Sequence, residues 1–132
     1  MFDVLVDTEG CFVGGGCTVT VPVTAPVPIA KLKGGIVGSV DGNPLRIQRP
    51  RFGLRRANRS IEVAGPGLEL QTHYTASRKY RVSRSDGSAL YERRAKEVLI
   101  DQEASSCEIA TAIALDFAGV LSSSSLADSL TF

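Results

Sequence analysis

Six arginines crowd a short stretch of the chain: Arg46, Arg49, Arg51, Arg55, Arg56 and Arg59. A guanidinium is planar, stays charged and grips phosphate through paired N–H groups, so arginines that converge make an anion site. Arg49, Arg51, Arg55, Arg56 and Arg59 are the candidate anion-binding set, and Arg78, Lys79, Arg81 and Arg84 form a second basic group. The competing reading is that these cations are solvated, or pair with acids elsewhere in the chain. Charge along the sequence keeps both open. The whole chain carries +1, but residues 46–96 carry +9, residues 97–132 carry −6, and the first 45 carry −2. A basic middle and an acidic end fit an anionic partner, or two parts that face each other in the fold.

Other reactive residues are sparse. His73 is the only histidine. It falls on the polar side of an alternating segment beside Gln71 and Thr75, where a solvated imidazole is expected, since a metal needs several convergent ligands. The three cysteines, Cys11, Cys17 and Cys107, are an odd number. Buried free thiols are the expectation, with a Cys11–Cys17 bridge across a hairpin as the alternative. Gly14-Gly15-Gly16 precedes CTVTVPV, which reads as a strand. Phosphate-cradling loops need a helix at that point, so a hairpin turn is expected instead. Asp3, Asp7 and Glu9 are neighbours in sequence without an acid–base pattern. No residue is assigned a catalytic, metal or cofactor role, and a non-enzymatic protein without a cofactor is the expectation.

The elements that must carry these residues read as one domain over 1–132. Period-2 alternation marks strands, with one face on a core and one in water. Phe2, Val4 and Val6 alternate with Asp3, Leu5 and Asp7; Val19, Val21 and Val23 with Thr18, Thr20 and Pro22; Leu45 and Ile47 with Arg46 and Gln48; Leu68, Leu70, Thr72 and Tyr74 with Glu69, Gln71 and His73. Gly34-Gly35, Asp41-Gly42-Asn43, Gly65-Pro66-Gly67 and Asp86-Gly87 supply the turns. The clearest hairpin runs through 79–84 and 88–94 around Asp86-Gly87. Pro22, Pro26 and Pro28 confine 22–28 to an edge or a loop, and 49–59 reads as a loop or a basic strand with one wet face.

The period changes near the C-terminus. Ser105 and Glu108 have the spacing of a capping box, and Gly119 is placed to end a helix over about 106–118. Its residues are apolar nearly all round, which predicts a helix enclosed by protein on most sides. On this reading Ile113 is among the most buried residues, Cys107 is an inaccessible thiol, and Thr111 lies on a thin polar strip. Residues 122–125 form a serine spacer, and Leu126, Leu130 and Phe132 dock the tail. The longest nearly apolar run, 109–121, is too short to span a bilayer. Acids stand where a signal peptide needs a basic start, so a cytoplasmic protein is expected.

The segment YRVSRSDGSALYERRAKEVLID, a hairpin and strand, followed by the helix EIATAIALDFAGV, resembles the tubby C-terminal-like superfamily. That group includes the LURP-one-related proteins and the phospholipid scramblases, and its small actinobacterial members carry a similar helix with a Ser-rich tail. The resemblance runs from about Ser60 to the end and is one of pattern. It implies a mainly β fold, an antiparallel β-barrel or barrel-like sheet wrapped around one hydrophobic C-terminal helix. A phosphoinositide-type headgroup is the ligand class it implies, and it transfers no individual binding residue. The functional expectation is a non-enzymatic binding or scaffolding domain that contacts anionic lipid or phosphate groups through the arginines. The alternative is a small nucleic-acid-binding barrel. Against that stands the scarcity of aromatics among the basic residues, where only Phe52, Tyr74, Tyr80 and Tyr91 offer stacking surfaces.

Overall fold

Alternating apolar residues separated by tight turns produce a succession of hairpins in the computed structural model, which describes residues 2–25, 27–50, 60–76 and 79–122. Ten strands follow one another: β1 (Asp3–Asp7), β2 (Gly10–Gly14), β3 (Val19–Val21), β4 (Ile36–Val40), β5 (Asn43–Gln48), β6 (Ile61–Gly65), β7 (Leu68–Ala76), β8 (Lys79–Arg84), β9 (Ala89–Arg94) and β10 (Glu97–Ile100). All belong to one sheet whose spatial order is the sequence order, each strand antiparallel to the next. Short α1 (Ile29–Gly34) interrupts the run between β3 and β4, and α2 (Ser106–Phe117) follows it. The protein is thus mainly β with one substantial C-terminal helix. The described residues pair β1 only with β2 and β10 only with β9, so the sheet is not closed into a barrel.

Turn chemistry fixes the register. Asp41 and Gly42 both take positive φ, +48° and +82°, the pair of conformations that a two-residue hairpin needs to match strand twist. Gly34-Gly35, expected as a turn, instead ends α1. Pro28 caps that helix without a side-chain hydrogen bond, and Leu32 is fully buried beneath it. Gly14-Gly15-Gly16 leads from β2 into the antiparallel β3, as a hairpin connection should.

The alternation of β3, β5 and β7 sorts residues as expected, and β6, not singled out in the sequence, follows the same rule. Val19, Val21, Leu45, Ile47, Ile61, Val63, Leu70 and Thr72 are buried on one face. The two edge strands do not follow. All of β1 and all of β10 is exposed, including Val4, Leu5, Val6, Val98, Leu99 and Ile100. Alternation buries a face only where something lies against it, and nothing described covers the outermost strands.

Helix α2 sits on the buried face. It packs against β2 and β3 on one side and β9 on the other, so the sheet curls around it. Its start follows the sequence closely: the Glu108 amide donates to Ser105 Oγ at 3.2 Å, and the Ser105 amide donates to Glu108 Oε1 at 3.0 Å. Gly119, at φ +84°, ends it, and a Cβ there would stand 2.6 Å from that of Ala25. Ala110, Thr111, Ala112, Ala114 and Leu115 are buried. Enclosure is nevertheless incomplete, because Phe117 is 49% exposed.

Three expectations for this region need correction. Ile113 is only partly buried, because the helix keeps one flank toward solvent. Thr111 is buried, its hydroxyl donating to the Cys107 carbonyl at 2.7 Å, which lets a small polar residue occupy a core position. Cys107 is not a free thiol. It is bonded to Cys17, with the two Cα atoms 5.1 Å apart across a sequence separation of 90. Cys11, the expected partner in the alternative pairing, is the free and buried one. Tertiary folding brings the first turn of α2 onto the residues after β2, and no local spacing reveals that. The expected serine spacer beyond Ser122 and the docking residues Leu126, Leu130 and Phe132 lie outside the described residues.

Candidate anion-binding recess

Arginines on β8 and β9 alternate in direction, and the alternation decides what each one meets. Arg84 and Arg93 turn toward α2. Arg84 bonds Glu108 and Asp101, each at 2.9 Å, while Arg93 bonds Asp116 at 2.7 Å. Tyr91 donates its hydroxyl to the same Asp116 oxygen. Burial, then the neighbouring carboxylate, pushes the Tyr91 phenol well above its ordinary range. Burial alone would raise the Glu108 carboxyl, but the Ser105 amide and Arg84 outweigh it and hold it below the usual carboxylate range. The basic middle and the acidic end of the sequence therefore meet face to face, and these arginines are structural.

Arg81 and His73 lie on the opposite face. The strand register sets His73, Arg81 and Glu92 in a row across β7 to β9, with His73 opposite Arg81 and Arg81 opposite Glu92, and Ser60, just before β6, lies beside His73. This outer face is not a flat solvated surface, because Ser83 and Glu92 are buried in it. It holds a recess of about 740 Å³ lined by Ser60, Gln71, His73, Arg81 and Ser83, among others, with Pro50 and Glu62 contributing.

His73 is half-buried rather than solvated, and its Nδ1 lies 3.2 Å from Ser60 Oγ. Burial and the Arg81 charge both hold the imidazole below its ordinary pKa. A Ser–His nucleophile needs an anion behind the ring to stabilise the imidazolium. Here the charged residue beside the ring is a cation, which favours the neutral form. Arg81 has only a loose ion pair, 3.8 Å from Glu92, which also receives Arg94 at 3.2 Å. The Arg81 Nε is buried with no hydrogen-bond partner among the described residues. The Arg81 side chain is 40% exposed, and a guanidinium with a spare donor, next to an imidazole and two serine hydroxyls, is suited to an oxyanion.

The arginines nominated from sequence separate into two groups. Arg49 is buried and not free, its amide bonded to the Leu32 carbonyl at 2.9 Å. Arg51, Arg55, Arg56 and Arg59 lie outside the described residues. Sequence reasoning counted Arg81 only as part of the second basic group and set His73 aside. Their opposition belongs to the β7–β8 register, which the turn at Asp86-Gly87, joining β8 to β9, does not fix, and burial of this face is not legible in the sequence either.

No protein-family model, curated protein or solved structure matches the chain. Among the described residues, no helix is long and apolar enough to cross a membrane.

Proposed function

We propose that this chain is a non-enzymatic binding domain of the tubby C-terminal-like kind, which holds a phosphate group of an anionic lipid headgroup in the recess around Arg81 and His73. The observation that carries this reading is the Arg81 guanidinium at the recess, its Nε without a hydrogen-bond partner among the described residues, beside His73 and Ser60. An antiparallel meander curled around a C-terminal helix supports the family likeness. Pro50 and Ser60, which flank the arginine-rich segment in the sequence, both line the recess. Cations consumed by α2 are set apart from those left for a ligand.

The test is sedimentation with neutral vesicles and with vesicles containing phosphoinositide. Binding should require the anionic lipid, fall steeply as salt rises, and drop roughly tenfold or more in Arg81→Gln, as a lost charge-assisted pair would predict. In a nuclear magnetic resonance titration, His73 of the free protein should titrate below its ordinary value of 6.5. A soluble inositol phosphate should raise that value, because an anion favours the imidazolium. Tighter capture by a single-stranded oligonucleotide than by the vesicles would favour the nucleic-acid alternative. No anionic ligand bound at low salt would remove the proposal.

A further inference from the structure

Three potential ligand atoms meet at the start of α2. Cys17 Sγ, Cys107 Sγ and the Asp41 carboxylate lie within 4.8 Å of one another, although they come from three separate places in the chain. Cys17 is buried after β2, Asp41 sits exposed in the turn between β4 and β5, and Cys107 is in the first turn of α2.

Asp41 is held in place by its backbone and one oxygen. Its φ is +48°, its amide donates to the Thr18 carbonyl at 2.7 Å, and its Oδ1 accepts from the Thr18 amide at 2.8 Å. The other oxygen, Oδ2, then stands 3.4 Å from Cys17 Sγ and 3.6 Å from Cys107 Sγ. A disulfide has no S–H, so in the bonded state those sulfurs give this anionic oxygen no hydrogen bond. Beside the disulfide the exposed carboxylate is left to solvent, and the same three atoms are well suited to a shared cation. One oxygen locked by an amide, with the other aimed at the site, is the posture of an oriented metal ligand.

We propose that the reduced protein binds one soft divalent cation, of the Zn²⁺ type, through Cys17, Cys107 and Asp41, and that closure of the disulfide releases it. Two thiolates and a carboxylate suit Zn²⁺ by softness, and three protein ligands leave a fourth tetrahedral position for water on the exposed Asp41 side. Position within the first turn of α2 favours the Cys107 thiolate. A small dithiol reductant passes two electrons and two protons to the S–S bond and leaves as its own disulfide. The two protein thiols then lose their protons to solvent as the metal takes both sulfurs. In reverse, a low-molecular-weight disulfide accepts two electrons from the thiolates and two protons from water, leaving as two thiols. The protein S–S bond forms and the metal departs.

The experiment adds Co²⁺ and Zn²⁺ to the full chain before and after reduction, with the reductant removed. Reduced protein should take up about one equivalent of metal and show cobalt–thiolate charge-transfer absorption, while oxidised protein shows none. Asp41→Ala should weaken Zn²⁺ binding roughly tenfold or more and alter the cobalt spectrum. Cys11→Ala, which changes the free cysteine, should leave both unchanged. An unchanged affinity and spectrum in Asp41→Ala, the same band in Cys107→Ala, or no stoichiometric uptake by folded reduced protein would overturn the proposal. If the reduced chain loses its fold, circular dichroism still decides: refolding on Zn²⁺ addition supports the site, and a chain that stays unfolded with Zn²⁺ overturns it.

Discussion

The two faces of β8 and β9 carry arginines of the same type in opposite circumstances. On the face toward α2, Arg84 and Arg93 each meet a helix acid at hydrogen-bonding distance, Glu108 near the start and Asp116 near the end. On the outer face, Arg81 and Arg94 share one acid, Glu92, and neither pair is as short. Direction follows strand alternation, and the helix contributes acids to one side only. Neighbouring cations thus divide into those that fasten the helix and those left with capacity for a ligand. Residue type alone does not report that division; the position of α2 does.

The largest effect should come from separating the helix's inner and outer flanks. Leu115 is fully buried and Phe117 is 49% exposed, two residues apart on α2. Leu115→Asp should prevent folding, because a buried unpaired carboxylate costs more than the domain's stability. Phe117→Asp should cost less than about 1 kcal/mol, as at an exposed site. Expression followed by circular dichroism separates these outcomes, and equal damage from both would mean that α2 is enclosed on every side.

A smaller contrast compares the arginine faces directly. Asp116→Ala removes the acceptor of both Arg93 and Tyr91. It should cost about 2–3 kcal/mol, below the figure for a fully buried pair because Arg93 keeps 28% of its side chain exposed. Arg81→Gln should stay within about 0.5 kcal/mol, the usual range for a site without a tight partner. Urea denaturation measures both, and a comparable loss from Arg81→Gln would make the outer face structural too.

The smallest effect is on acidification. Glu108 and Asp101 are both held below their ordinary values in the folded protein. Depressed carboxylates contribute stability that is present above the unfolded values and lost as pH falls through the folded ones. Stability should therefore decline below about pH 4.5, as unfolded carboxylates begin to bind protons. Arg84→Met should flatten that decline in denaturation curves taken at successive pH values. A slope unaffected by Arg84→Met would place the acid-sensitive groups elsewhere.

The features legible in the order of the amino acids are local. Alternation marks β3, β5 and β7, Asp41-Gly42 marks the turn into β5 and Asp86-Gly87 the turn from β8 to β9, and Ser105 with Glu108 marks the start of α2, because each depends on residues a few positions apart. Charge segregation also announced that the middle and end could meet, though not which cations would be taken. The remaining features came from long-range packing. The exposure of β1 and β10 depends on what fails to cover them, and the partial burial of Ile113 depends on how far a sheet curls. The choice of Cys17 over Cys11 as partner of Cys107 depends on chain segments 90 residues apart arriving at one point. The recess around Arg81 and His73 arises in the same way, from strand register and from the one-sided placement of α2. Long-range proximity is set by the sum of many weak packing contacts, and no short window of sequence contains that sum.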